Sequence, residues 1–319
     1  MPDTRSVICA GVVVADHISL PISHLPRSGE LVPADDLILS VGGCASNAAI
    51  CLARMGMQPR ICGRIGNDYF GRFISEALIE QGVDVRGLLV DPVLSTSQTL
   101  IINVRGEDRR FVHTFGANRN LLVSDLNAQV HPAPRVLYLG GYLILPGIDP
   151  ESLARTFAEL RAQGTFIVLD VATPGRGDYL DYLLPVLPHT DLFLPNSDEA
   201  EFMLDETDPV KQADQFRKMG ARRVVITLGD EGAISISDQL RVRLGVFPIP
   251  FVDASGGGDA FDAGYIAGLL RGHDELGCLT LASAIGASCV RAVGTTTGVF
   301  TGAEADRFIA EHTLAVNSL

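Results

Sequence analysis

Three consecutive glycines, Gly256, Gly257 and Gly258, end on a carboxylate, Asp259, and lead into Ala260-Phe261-Asp262-Ala263-Gly264. With no Cβ on three successive residues, their backbone N–H groups can converge on one anion. The stretch AFDAGYIAGLL reads as a buried helix, which puts those groups at a helix N-terminus. There the unpaired donors and the helix dipole both favour negative charge. A carboxylate at the rim of such a cradle is electrostatically awkward unless it has a task. Taking a proton from an attacking hydroxyl is the task it suits. The same letters also fit a glycine-rich turn with Asp259 as an ordinary helix cap.

A second stretch has comparable chemistry: Gly42-Gly43-Cys44-Ala45-Ser46-Asn47-Ala48-Ala49, with Gly56 and Gly66 beyond it. Gly42 and Gly43 let a ligand approach the backbone. Asn47 offers a donor and an acceptor near the start of a helix expected over Ala45 to Met55, which suits hydroxyls. Alone, this is also a glycine turn with a polar cap.

The two stretches, in this order and about 210 residues apart, resemble the two signatures of the ribokinase/PfkB carbohydrate kinase family. The family's D-T-x-G-A-G-D run is matched by Asp253 to Asp259, with Ala254 in place of Thr and Gly257 in place of Ala. Both replacements are small, so the loop geometry should survive, though any contact of the Thr hydroxyl is absent. The resemblance extends over nearly the whole chain. It implies an ATP-dependent phosphotransferase acting on a hydroxyl of a sugar or sugar-like alcohol. Asp259 would be the general base, and the amides of Gly256, Gly257 and Gly258 an anion hole.

The resemblance carries further residues. Asn196-Ser197-Asp198-Glu199 is similar to the N-x-x-E motif, through which Asn196 and Glu199 organise Mg²⁺ largely by way of water; a capping box fits the same letters. Thr227, Gly229 and Gly232 match a T-L-G-x-x-G turn that lies against the nucleotide, although a plain β-turn fits too. Asn196, Thr227, Gly229, Gly232, Gly256 and Gly258 are thus the implied ATP contacts. Asp253 resembles a position that helps bind a monovalent cation such as K⁺. On the substrate side the implied set is Asp16, Gly42, Gly43 and Asn47, with Asn103 in the lid hairpin and Asn118 as lesser candidates.

Substrate class is read from what is missing. Cys44 stands where related chains carry lysine, and Ser97-Gln98 where sugar-phosphate kinases of the family place a Thr-Arg pair. A neutral or acid sugar, or a nucleoside, is therefore expected over a sugar phosphate, unless Arg105, Arg109, Arg110 or Arg119 supplies the cation. Alternatives are a nucleoside kinase or a sugar-phosphate kinase of the same family and, more remotely, a non-catalytic sugar-binding regulator. An intact Asp259 speaks against the last. No G-x-G-x-x-G follows the first strand and no G-x-S-x-G occurs, which disfavours a dehydrogenase and a serine hydrolase.

Bulk properties narrow the partners. The chain has 319 residues, 47% hydrophobic, and a net charge of −13, which argues against nucleic acid or an anionic membrane as partner. Lys211 and Lys218 are its only lysines and neither adjoins a glycine loop, so lysine-based phosphate binding is excluded and amides must cradle the ATP. The six cysteines lack a C-x-x-C pair and sit mostly in apolar runs, as free thiols of a cytoplasmic protein do. No signal peptide and no membrane span are expected.

These residues need a scaffold. VICAGVVVA, PRICGRI, RVLYLGG, TFIVLDV, TDLFLP and RRVVITLG read as buried strands. Helices are expected over Ala45 to Met55, Tyr69 to Gln81, Glu151 to Ala162, Tyr179 to Leu187, Asp198 to Leu204 and Pro209 to Met219, and again after Gly258. The alternation predicts an α/β fold with a mostly parallel sheet between helices. Ligands bind at the carboxyl ends of such strands, where Asp16, Asn196, Gly229 and the glycine run fall. Residues 18–40 and 95–115 break the rhythm and read as extended, with a hairpin turning at Gly106 to Asp108. The resemblance implies a ribokinase-like, Rossmann-type three-layer sandwich, one domain over 1–319, with these segments as a β lid and dimer surface.

Overall fold

The first apolar run forms two strands rather than one. In Ser6–Gly11 (β1), Val7 and Cys9 pack into one hydrophobic cluster while Ile8 and Ala10 pack into another, so the strand is covered on both faces. The computed structural model describes residues 6–107 and 109–319. After β1 the chain turns out of the main sheet at Gly11, whose φ is 128°, and Val14–Ser19 (β2) joins a second sheet. The buried Asn118 amide fixes this crossing by pairing with both the N–H and the carbonyl of Val13. The expectation of a single strand over VICAGVVVA with Asp16 at its end is thereby corrected: Asp16 lies inside β2.

The remaining elements of the first half are Leu37–Gly42 (β3), Cys44–Arg54 (α1), Gln58–Gly66 (β4), Tyr69–Glu80 (α2), Asp84–Asp91 (β5), Gln98–Ile102 (β6), Arg110–Thr114 (β7), Val123–Gln129 (α3) and Val136–Gly140 (β8). Then come Pro150–Ala162 (α4), Phe166–Leu169 (β9), Leu180–Leu183 (α5), Leu192–Phe193 (β10), Ser197–Leu204 (α6), Pro209–Lys218 (α7), Arg223–Thr227 (β11), Ala233–Ser237 (β12) and Arg241–Leu244 (β13). Gly257–Leu270 (α8), Glu275–Cys289 (α9), Gly302–Glu311 (α10) and Val316–Ser318 (β14) complete the chain. Several helices start on an aspartate whose side chain accepts a first-turn N–H: Asp68, Asp149, Asp208 and Asp274.

The large sheet has the order β14-β13-β12-β11-β10-β9-β8-β1-β4-β5. It is parallel from β11 to β5, and β12, β13 and β14 form an antiparallel edge. One cluster packs α1, α2, α8 and α9 on one face and the other packs α3, α4, α6 and α7 on the opposite face, giving three layers. From β1 the chain first builds outward to β5, then returns on the other side of β1 as β8. The order therefore reverses between β1 and β8, and a ligand crevice is expected at their carboxyl ends.

Further differences from the sequence reading concern one helix and several strands. The helix expected over Tyr179 to Leu187 stops at Leu183 and is followed only by a single tight turn at Leu187–His189, because Pro185 and Pro188 lack the N–H to continue it. Strands β5 and β12 to β14 were not foreseen, and the segment PIPFV, where a strand was expected to lead into the glycine run, carries none.

The second sheet has the order β3-β2-β6-β7. Its strands fall in 14–42 and 98–114, close to the expected lid segments. Asp108, part of the expected turn, lies outside the described residues. Register places Ser40, Asp16, Thr99 and His113 in one row and Leu39, His17, Leu100 and Val112 in the next, on the opposite face. Among the described residues, no helix is long and apolar enough to cross a membrane.

Candidate active site

The glycine cradle is built as its letters imply. Gly256 caps α8 at φ 74°, and a Cβ there would stand 2.2 Å from the Thr295 carbonyl oxygen. Only glycine fits. Asp259 sits in the first turn of α8, half-buried.

The second glycine stretch meets it in space. Asn47, buried in the first half of α1, donates from Nδ2 to Asp259 Oδ2 at 2.8 Å across 212 residues of sequence. Its Oδ1 is buried with no partner among the described residues, which leaves an acceptor for an incoming donor. Asp16 approaches from the lid: a Cβ on Gly42 would stand 1.8 Å from Asp16 Oδ2. Gly42 is thus glycine because the carboxylate occupies its side-chain space.

Behind Asp259 lies a set of groups of which the sequence reading singled out only Cys44. Asp170 follows β9 and accepts from the Gly141 N–H at 2.9 Å. Asp262, one turn along α8 from Asp259, accepts from the Tyr138 hydroxyl at 3.1 Å. Cys44 Sγ and carboxylate oxygens of Asp170 and Asp259 lie within 4.8 Å of one another. Asp170 could have been found, since it is a carboxylate at the carboxyl end of a strand; Asp262 and Tyr138 carried no such signal.

So many acids in one crevice hold protons more tightly than usual. Burial lifts Asp16 to about 6, helped by the charge of Asp259 and opposed by a hydrogen bond from Thr99. Burial raises Asp259 as well, against hydrogen bonds from Asn47 and Cys44. Asp170 and Asp262 are pushed well above the ordinary carboxylate range, first by burial and then by their acidic neighbours. Burial and the same neighbours hold Cys44 as a neutral thiol.

Asn196 and Glu199 form a reciprocal cap on α6: Asn196 Oδ1 accepts from the Glu199 N–H at 2.9 Å and Glu199 Oε2 accepts from the Asn196 N–H at 3.0 Å. Burial lifts Glu199 to about 7, and the charge of Asp259 adds to it. The cap therefore also aims a carboxylate at the crevice. An oxygen-only donor set with excess negative charge suits a hard divalent cation such as Mg²⁺.

On the other side of the cradle is a cavity of about 320 Å³ lined by Thr227, Gly229, Gly232, Phe247, Gly258 and Phe261, among others. It joins the Thr227 turn to the glycine run and is mostly apolar, as a pocket for a heterocycle is. Asp253 sits beside the cradle, bonded to Ser255, to Gly294 and to Arg109 of the lid. Asn103 does not join this group through its amide, which donates to the Ser19 carbonyl within the lid at 2.7 Å. Asn118 serves the β1–β2 crossing described above.

Residues 4–301 match the model of the pfkB family carbohydrate kinase. An ATP-dependent 6-phosphofructokinase of Thermoanaerobacterium thermosaccharolyticum is 25% identical over 294 residues, covering 90% of this chain and 88% of the relative. A nucleoside kinase of Methanothermobacter thermautotrophicus is 25% identical over 315 residues and 98% of both chains. In three dimensions, the ribokinase of Arabidopsis thaliana solved with ribose and ATP superposes with a TM-score of 0.79 at 20% identity, covering 97% of this chain and 99% of that one.

Proposed function

The chain belongs to the pfkB family of carbohydrate kinases, and on that premise we propose that it transfers the γ-phosphoryl group of ATP to a hydroxyl of an unphosphorylated sugar, sugar-like alcohol or nucleoside. The observation that carries this reading is the meeting of Asn47 with Asp259 at the mouth of the glycine cradle. It joins a hydroxyl-binding group and a proton acceptor at a phosphate site.

In this reading the apolar cavity takes the base of ATP, and the amides of Gly256, Gly257 and Gly258 take the γ-phosphate. Asp16 and the free Oδ1 of Asn47 accept hydrogen bonds from substrate hydroxyls and fix which oxygen points at phosphorus. Asp259 accepts the proton of that hydroxyl as its oxygen bonds to phosphorus and the bond to the β-phosphate breaks, releasing ADP. Its raised proton affinity fits this role. Mg²⁺ bound with the nucleotide supplies charge that offsets the phosphate oxygens; Asn196 and Glu199, with Asp170 beside them, are the residues that would hold it. The row of exposed Leu39, Leu100 and Val112 on the face opposite Asp16 supports a homodimer through the lid. The ATP that the proposed reaction consumes supports a cytoplasmic location.

The relatives' names range over a sugar-phosphate kinase, ribokinases and a nucleoside kinase, so substrate class rests on this chain's own side chains. Around the hydroxyl site stand Asp16, Asp170, Asp259 and Asp262. Of the lid arginines, Arg110 pairs with Glu107, Arg105 reaches the Pro21 carbonyl and Arg109 reaches Asp253. A phosphate dianion would lose its water there among carboxylates, at a cost of several kcal/mol. The test is an ATP-consumption panel of sugars, nucleosides and sugar phosphates. Unphosphorylated substrates should show kcat/KM at least about a hundredfold above fructose 6-phosphate or tagatose 6-phosphate, a gap of about 2.7 kcal/mol. A sugar phosphate as best substrate overturns the assignment.

A further inference from the structure

Directly before the glycine cradle stands a carboxylate that works against phosphate binding. Asp253 Oδ1 accepts from the Ser255 N–H at 3.0 Å and the Ser255 hydroxyl at 2.9 Å, and Oδ2 accepts from the Gly294 N–H at 3.1 Å. These neutral donors fix the carboxylate in place but leave its charge. Its side chain is only 12% exposed, so water screens that charge weakly. A cation reaches it from the lid: Arg109 Nη1 stands 3.2 Å from Asp253 Oδ1 and also donates to the Ser255 hydroxyl. Arg109 lies 144 residues earlier in the chain, just before β7, with its guanidinium over the Phe111 ring at 5.8 Å.

We propose that Arg109 is a positioning residue whose guanidinium serves as the built-in counter-cation of Asp253. It holds the loop from Asp253 to Gly258 in its phosphate-binding shape, so that the chain binds Mg-ATP without a free monovalent cation. A guanidinium suits the task because it stays charged at any working pH and bonds two partners at once. The place beside Asp253 that sequence resemblance assigns to K⁺ is thereby taken by a side chain of the lid. Nucleotide binding is then indifferent to the alkali cation, and cradle and lid are mechanically coupled. The inference rests on the kinase reading only in placing the phosphates of ATP at the cradle.

The test titrates the full chain with Mg-ATP by calorimetry, in KCl and in tetramethylammonium chloride at equal ionic strength. Wild type binds within about twofold in the two salts. Arg109→Ala binds about tenfold more weakly in tetramethylammonium chloride and recovers in KCl, where K⁺ enters beside Asp253; Arg109→Lys keeps the indifference. A wild type that needs K⁺ overturns the proposal, as does an Arg109→Ala variant weakened equally in both salts, which is what a merely structural latch gives. Thermal melting without nucleotide supplies the second arm: KCl raises the Tm of Arg109→Ala over tetramethylammonium chloride and leaves wild type unmoved, and equal response of the two proteins overturns the proposal. Failure of wild type to bind Mg-ATP in either salt breaks the kinase reading instead, and the melting arm still decides this one.

Discussion

On the side of the crevice proposed for the nucleotide the chain presents glycines, Phe247, Phe261 and backbone amides. On the side proposed for the hydroxyl substrate it presents Asp16, Asp170, Asp259 and Asp262, with Asn47 and Tyr138 bonded to two of them. In the proposed reading the first side would recognise its ligand through backbone and shape, which any ATP-using chain can share. The second would recognise through side-chain charge and hydrogen bonding, and so would decide the substrate. Asp259 sits where the two meet.

The largest effect is expected at that junction. Asp259→Asn preserves size and removes the proton acceptor, so turnover should fall by about two to four orders of magnitude while Mg-ATP binding, read by calorimetry, stays near wild type. Turnover within a few-fold of wild type on the best panel substrate removes Asp259 from its role.

A pair of matched substitutions separates the two sides next. In Gly42→Ala the new Cβ would stand 1.8 Å from Asp16 Oδ2, so the carboxylate must move. In Gly258→Ala the Cβ meets nothing within 4 Å, and so it enters the open space of the cradle. The first should weaken the hydroxyl substrate by about tenfold or more with Mg-ATP unaffected, and the second should do the reverse without a change in Tm. Identical profiles for the two variants erase the distinction between the sides.

Glu199→Gln probes the Mg²⁺ site proposed between them. It keeps the reciprocal cap with Asn196 but loses the charge, so the Mg²⁺ concentration for half-maximal rate should rise several-fold with substrate KM little changed. An unmoved requirement leaves Glu199 as a helix cap alone.

The same division explains what the sequence disclosed. The cradle was legible because it depends on local letters: Gly256 must be glycine for its φ and for Thr295, and Asp259 follows at fixed spacing. The three-layer scaffold was legible because buried parallel strands are continuous apolar runs. The hydroxyl side was only half legible. Asp16 was named as a candidate, but its position inside β2 depended on the chain leaving the main sheet at Gly11, which nine consecutive mostly apolar residues do not announce. Asp262 and Tyr138 meet across 124 residues, and α8 reads as small and apolar around Asp262. The Arg109 contact with Asp253 was out of reach for the same reason: an arginine in a hairpin reads as a solvated charge until the lid is folded over the cradle.

Asp16 allows the smallest and most exacting test, because a carboxyl kept for hydroxyl recognition should cost stability. Burial lifts it from 3.8 to about 6, so between these values the folded chain holds a proton that the unfolded chain has released. Stability contributed by this residue is present in the acid part of that window and is lost as pH rises through about 6. Above it the folded chain must carry a buried charge, at a cost of about 1–3 kcal/mol. Asp16→Asn removes that charge and leaves an oxygen to accept from Thr99. The variant should therefore melt a few degrees above wild type at pH 8, and the difference should close as pH falls toward 4, even as phosphorylation of the hydroxyl substrate is lost. A variant that is less stable than wild type at pH 8, or whose margin is the same at both pH values, would show that Asp16 is held in the lid for structure and not against it.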